Sequence, residues 1–340
     1  MYVMMILEKW IAGVVVIFSL ILQVHNVHYY NLDFGFDGKD HLEYVRWVAE
    51  KKSVPIPHEG WQFYQPPLYY IVASIFWSLG QNEVLAQGVN LLVFAGIGLI
   101  LRQYNKSAMV LIAFLALPMV NYLVPLITNE LMSGLFIVWG LVKVLDLLKK
   151  EEVKRKDMVL LGVIFTLGFY TKYTMLSLLP IFAIALFLVR KKLTNLWKDI
   201  LTIGTISITL ISPILIRNYK LYKTPIALTD SFYQFQQESE KRDWKFFSRM
   251  DWVINQDLFK SHHYSFWGGI WNTFWHDGQN AITPIVEFHK KAYVLFLLGF
   301  PLSVLALWGL LGGIWKENKK VAITLGGYTL LALASLAIYK

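Results

Sequence analysis

In the stretch GFDGKDHLEY, residues 35 to 44, the polar residues Asp37, Asp40 and His41 follow closely on an apolar run long enough to cross a membrane. Two more charged residues stand at the edges of apolar runs, Glu130 in TNEL and Lys172 in YTKY. A carboxylate beside lipid loses part of its water, which raises its pKa and makes it a better base. An ammonium at such a boundary offers a point charge to an anion. Each residue also has a plainer account. Asp37 fits the N-cap of a helix with Gly38 in its first turn, Glu130 fits the positive end of a helix capped by Thr128, and Lys172 fits a snorkelling lysine. Which account holds depends on the elements that carry them.

Those elements are membrane helices. Of the 340 residues 56% are hydrophobic and 16% charged, against about a quarter charged in an ordinary soluble domain. The net charge of +9 reads as basic cytoplasmic loops beside anionic lipid, so nucleic acid is not an expected partner. The chain has no cysteine, which excludes disulfides, thiolate catalysis and Cys-based metal sites. The N-terminal MYVMMILEKWIAGVVVIFSLILQV has little positive charge ahead of its apolar run and no small-residue cleavage site, and reads as a retained first span.

Apolar runs fall at 8–27, 66–80, 84–101, 108–126, 131–148, 158–171, 174–189, 199–216, 291–315 and 320–339. If all of them crossed from an inside N-terminus, the basic loops RQYNK and KKEEVKRK would face outward, against the positive-inside bias. The weakest run, PPLYYIVASIFWSLG, opens on Pro66 and Pro67 and falls short of the roughly 20 residues a spanning helix needs, so it is expected to lie in the outer interface. Removing it leaves nine spans and returns RQYNK, KKEEVKRK, RKKLTNLWKD and WKENKK to the cytoplasmic side. Residues 28–83 and 217–290 then form a first and a second outer loop, joined on that side by short turns at 128–130 and 171–173. Sixteen of the 23 acidic residues fall on the outer side, where chemistry is therefore expected. The whole chain, 1–340, reads as one all-α polytopic membrane domain of about nine transmembrane helices, with juxtamembrane helices in the first outer loop.

In that loop residues 40 to 51 form an amphipathic pattern. Leu42, Val45 and Ala49 share one face, while Asp40, His41, Tyr44 and Val48 share another. The Pro- and aromatic-rich SVPIPHEGWQFYQPPLYY after it predicts an extended path and a helix restarting at the proline pair. An Asp soon after the first span, then DHLEYV, VPIP and FYQPPLYY, resembles the first external loop of GT-C fold glycosyltransferases. It is most similar to the group of dolichyl-phosphate-mannose protein mannosyltransferases and bacterial lipid A aminoarabinose transferases. LITNELMSG (126–134), FYTKYTMLSLLP (169–180) and SPILIRNYKLYKTP (212–225) continue the resemblance in order.

The resemblance implies a GT-C fold and transfer of a sugar from a polyprenyl-phosphate donor to an acceptor hydroxyl or amine on a lipid, glycan or protein. The reaction would proceed with inversion at an active site on the outer face of the cell membrane. It gives Asp37 the role of base and Glu130 that of an acidic group that approaches it to orient substrate or hold a divalent cation. Asp40, His41, Tyr44, Tyr64, Gln65, Lys172 and Arg217 become candidate substrate contacts, with Lys172 and Arg217 placed to meet the donor phosphate, although Arg217 equally fits an interfacial anchor at the outer end of its span. Many relatives carry an acidic residue directly after the base, where this chain has Gly38, so Asp40 or Glu130 is the candidate for the second carboxylate. No cofactor is required by the sequence. Asp37, Glu130 and phosphate would together suit magnesium or manganese if a cation takes part.

In the second outer loop Trp267, Trp271 and Trp275 recur every four residues, which fits a helix lying in the membrane interface or a surface for stacking sugars. His262, His263 and His276 show no metal-binding spacing. Lys143 and Asp146 fit a snorkelling pair. The competing function is a transporter or flippase of a lipid-linked or anionic solute, but such proteins gather polar groups near the midplane on repeated, broken helices. The enzyme reading requires Asp37, Glu130 and Lys172 to converge, whereas charges scattered around a rim contradict it.

Overall fold

The computed structural model describes residues 2–30, 37–192, 196–226, 244–249, 265–275 and 299–339, and among these every regular element is helical. In chain order they begin with α1 (Tyr2–Tyr29), α2 (Gly38–Lys51), α3 (Leu68–Ser78), α4 (Glu83–Tyr104), α5 (Ala108–Leu115), α6 (Pro118–Leu123) and α7 (Glu130–Lys149). They continue with α8 (Arg155–Thr171), α9 (Leu178–Val189), α10 (Leu196–Tyr222), α11 (Trp244–Ser248), α12 (Phe266–Trp275), α13 (Gly299–Trp308) and α14 (Lys319–Tyr339). Four of them contain stretches long and apolar enough to cross a membrane: Trp10–Tyr29, α4, α7 and α10. The protein is an integral membrane protein. Helix α3, with 11 residues, rises only about 16 Å, which is too short to span.

The run 108–126, expected as one span, is a broken helix. Leu117 is extended (φ −68, ψ 116) ahead of Pro118, which separates α5 from α6, and residues 124–129 are not helical. Proline cannot donate to the preceding turn, so the break follows from sequence. What makes it tolerable in an apolar setting is a set of side-chain amides, one at the break itself and others from neighbouring helices, since backbone groups there need protein partners. Asn121 Nδ2 donates to Leu115 O (2.7 Å) and Leu117 O (2.8 Å), and Gln23 Nε2 of α1 donates to Asn121 Oδ1 (2.5 Å). From α4, Gln87 Nε2 donates to Pro125 O (2.8 Å), and Asn90 Nδ2 donates to Leu126 O (2.7 Å) and Thr128 O (3.1 Å).

These bonds fix the path that delivers Asn129 and Glu130 to the start of α7. Asn90 is fully buried, and its Oδ1 has no partner among the described residues, a cost that its two carbonyl bonds must exceed. Asn90→Leu is therefore expected to destabilise the protein by about 1–3 kcal/mol. The thermal midpoint in nanodiscs measures this, and an unchanged midpoint would mean that the break is held by other contacts.

Around that path, α4 packs on α7, α7 on α8, and α8 on α10, through buried residues including Phe94, Leu131, Phe136, Leu161 and Phe165. The short α2 and α3 lie against each other, and α3 also touches α4 and α8. Both of the faces read from the α2 sequence are buried apart from the half-buried Asp40, while Lys39, Glu43, Arg46 and Glu50 keep one narrow stripe exposed. One face meets α3, where Tyr44 stacks on Tyr70 with ring centroids 3.7 Å apart and planes within 9°. Tyr44 and the neighbouring Trp47 also pack against Phe63 of the loop that follows α2, with ring centroids 5.3 Å and 5.5 Å apart. Lys52 ends the helix in the left-handed region at φ 53.

Trp275 is buried and donates to Ser303 Oγ (3.0 Å), while Trp267, at 36% exposure, donates to Phe247 O (2.8 Å). The tryptophan stripe is thus partly committed to packing α12 against α13. Lys143 and Asp146 form an i,i+3 pair at 3.7 Å. His262, His263 and His276 lie outside the described residues.

Candidate active site

Four segments meet at one place: the turn before α2, the loop 60–65, the start of α7 and the end of α8. Asp37 occupies the N-cap position of α2, and its carbonyl accepts from His41 N (3.0 Å). Its side chain does not cap the helix. Its carboxylate instead accepts from Gln62 Nε2 at 2.8 Å through Oδ2, and from the Trp61 side chain. The carboxylate that the capping account assigns to the helix is therefore turned toward the loop.

Burial raises the Asp37 pKa from 3.8 to about 6, helped by the charges of Asp40 and Glu130 and opposed by the Trp61 hydrogen bond and by Lys172. Glu130 and Lys172 are thus near enough to act on its charge. Burial raises Asp40 as well.

Glu130 opens α7. Its backbone N donates to Thr128 Oγ1 (3.3 Å), and its carboxylate is paired with the Lys172 ammonium. Lys172 stands between α8 and the 3₁₀ turn Tyr173–Ser177, with its N bonded to Gly168 O (2.8 Å). The approach is close at this point, since a Cβ on Gly168 would come within 2.2 Å of the buried Met175 side chain. A larger residue at Gly168 would have to push the Met175 side chain aside where the chain turns back to present the lysine.

Behind the charges lies a buried polar frame. Asn129 Nδ2 donates to Thr171 O (3.0 Å) and Gln65 Oε1 (3.3 Å), which ties the start of α7 to the end of α8 and to the loop. Gln65 Nε2 donates to the Tyr64 hydroxyl (3.0 Å), the Tyr44 hydroxyl donates to Gln65 O (3.2 Å), and the Tyr69 hydroxyl accepts from Thr128 N (3.1 Å). His41 Nδ1 lies 2.7 Å from the Tyr70 hydroxyl, and the ring is 7% exposed. Burial and Lys172 push its pKa down to about 3, so it is neutral at physiological pH.

The structure thus brings Asp37, Glu130 and Lys172 together, with Asp40 beside them. Tyr44, Tyr64 and Gln65 stand in the frame beneath. Arg217 is employed elsewhere: Nη2 donates to Val54 O (2.9 Å) and Pro55 O (3.0 Å), and Nη1 to Asn218 Oδ1 (3.4 Å), clamping the VPIP stretch to the end of α10.

Gln62, Trp61 and Asn129 belong to this site and were not singled out from the sequence. Asn129 had a usable signal in its place beside Glu130. Gln62, which reaches Asp37 across 25 positions of chain, had none. Among the described residues no group of three or more His, Cys, Asp or Glu side chains is placed to hold a metal ion. With Glu130 bound to Lys172, the described side chains form no cage of their own for magnesium or manganese. An open groove of about 560 Å³ between the end of α2 and α3 is lined by Val48, Val54, Ile71, Ile75 and Leu79 together with Lys52, Ser53, Ser74 and Ser78.

Residues 64–216 match the family model for dolichyl-phosphate-mannose-protein mannosyltransferase. The match covers somewhat less than half of the chain and includes Tyr64, Gln65, Glu130 and Lys172. Asp37, Asp40, His41 and Tyr44 precede it, and Arg217 directly follows it. No curated protein matches the chain, and no solved structure does.

Proposed function

We propose that the protein is a membrane glycosyltransferase of GT-C type that moves a sugar from a polyprenyl-phosphate donor to an acceptor on the outer face of the cell membrane. The observation that carries this reading is the convergence of a partly buried carboxylate, Asp37, with the Glu130–Lys172 pair, on a chain whose segment 64–216 is similar to membrane mannosyltransferases.

In this reaction Lys172 meets the donor phosphate. Asp37 takes the proton from the acceptor hydroxyl or amine, whose freed lone pair attacks the anomeric carbon from the side opposite the phosphate. The bond from that carbon to the phosphate oxygen breaks, its electron pair stays on the phosphate, and the configuration inverts. Lys172 stabilises the charge that grows on the leaving group. Gln62 and Trp61 hold the Asp37 carboxylate in place for the proton. Asp40 contacts substrate, while His41, Tyr44, Tyr64, Gln65 and Arg217 act through the frame and the loop they brace. The nine-span arrangement, with residues 28–83 and 217–290 outside, puts this site beside the lipid from which the donor enters.

The base must be ionised to act, and its pKa is raised to about 6. The transfer rate at low donor concentration is therefore expected to rise about tenfold per pH unit up to about 6, and to level off above. A rate profile of purified protein in nanodiscs, with labelled polyprenyl-phosphate hexoses and pentoses, tests this. A flat profile across that range would remove Asp37 as the base, and no consumption of any donor would remove the transferase reading.

A further inference from the structure

The site poses an electrostatic problem for an anionic ligand. Two carboxylates, those of Asp37 and Glu130, act on one ammonium, Lys172, with Asp40 beside Asp37, and that ammonium is already occupied by Glu130. The two partners are held differently. The Lys172 side chain is 16% exposed, and its backbone is fixed by the bond to Gly168 O and the tight Gly168–Met175 approach. The Glu130 side chain is 49% exposed. It sits in the first turn of α7, where the helix dipole favours a negative charge whether or not a lysine is present. Of the two, the glutamate is the partner that can leave at little cost.

We infer that Glu130 occupies the phosphate position on Lys172 in the empty site, and that the lipid phosphate binds by displacing the Glu130 carboxylate from the ammonium. The identity of the anion rests on the glycosyltransferase reading, whereas the exchange rests on the pair itself. The carboxylate swings into water, the lysine keeps a counter-charge throughout, and Glu130 returns to it as the polyprenyl phosphate departs. A neutral lipid has no charge with which to compete for Lys172, so the exchange selects for phosphorylated lipids.

This account fixes an unusual sign. Removing the charge of Glu130 frees Lys172 and should tighten binding of the lipid phosphate, by up to about fivefold given what a half-exposed pair contributes. The test measures retention of labelled polyprenyl monophosphate by purified full-length protein in nanodiscs of zwitterionic phospholipid, with unphosphorylated polyprenol and inorganic phosphate as separate competitors. Glu130→Gln should bind more tightly than wild type and Lys172→Gln more weakly. The double variant should be no tighter than Lys172→Gln alone, because the gain passes through the lysine. Polyprenol should not compete, and inorganic phosphate should compete only weakly because it lacks the chain. Thermal midpoints identify any variant that fails to fold, in which case Glu130→Ala replaces Glu130→Gln.

Equal or weaker binding by a folded Glu130→Gln overturns the exchange. Weaker binding is the result expected if Glu130 held the phosphate through a divalent cation. If wild type binds polyprenol as well as its phosphate, the donor reading itself fails. Phosphate-dependent binding by wild type without the gain in Glu130→Gln removes the exchange alone.

Discussion

Asp37→Asn is expected to lower sugar transfer by about 10²- to 10⁴-fold, the range over which a positioned general base acts, with no loss of folded protein. The substitution keeps the shape of the side chain and an acceptor oxygen for Gln62 Nε2, now 2.8 Å from Asp37 Oδ2, so that contact survives while proton uptake is lost. The effect on stability runs the other way. A carboxyl whose pKa rises from 3.8 to about 6 on folding contributes stability below about 3.8 that is lost as pH rises through 6, so the ionised group is a burden at neutral pH. Asp37→Asn should therefore be at least as stable as wild type near neutrality, with the difference shrinking in acid. Thermal unfolding alongside the transfer assay separates a dead but sound enzyme from a damaged fold. Retained transfer in Asp37→Asn would assign the proton to another group.

Lys172→Gln should lower transfer by about 10²- to 10³-fold, as expected when a group that stabilises leaving-group charge is removed. It should also move the acid limb of the rate profile upward, because Lys172 is one of the groups holding the Asp37 pKa down. The second effect distinguishes the lysine from a plain interfacial anchor, whose loss would leave the limb where it is. Lys172→Arg keeps the charge and should recover part of both. The pH profile of residual activity, compared with wild type, reads the shift directly.

Much of this arrangement is legible in the sequence. Helix α2 was expected at 40–51 and runs Gly38–Lys51, because its apolar and polar positions follow the helical period closely. The short run 66–80 was set apart by its proline pair and length, and it forms the 11-residue α3. Glu130 and Lys172 were found as isolated charges at the edges of apolar runs, and they pair.

Other features carry no local signal. The break after α5 was read as a continuous span because hydrophobicity alone does not register Pro118 within it, nor the amides, at the break and on other helices, that make the break tolerable. Gln87 and Asn90, polar residues inside an apolar run, were the available hint, since such residues in membrane helices usually have a specific partner. Arg217 was read from its place near the end of a span as a phosphate ligand. Its guanidinium instead serves two carbonyl oxygens more than 160 positions earlier in the chain, a pairing that only the folded structure reveals. The second face of α2 was expected to carry substrate contacts, yet His41 and Tyr44 are consumed by stacking and hydrogen bonds beneath the site.

The most direct test of the account is the fate of a lipid-linked sugar given to the purified protein in sealed vesicles of known orientation. The donor is polyprenyl phosphate carrying a labelled sugar, supplied to one leaflet with an envelope extract as acceptor. The account predicts protein-dependent release of polyprenyl phosphate, transfer of the label to acceptor with inverted anomeric configuration, and loss of both in Asp37→Asn. Movement of intact lipid-linked sugar to the opposite leaflet, with no release of polyprenyl phosphate and no difference between wild type and Asp37→Asn, would contradict it and identify a transporter.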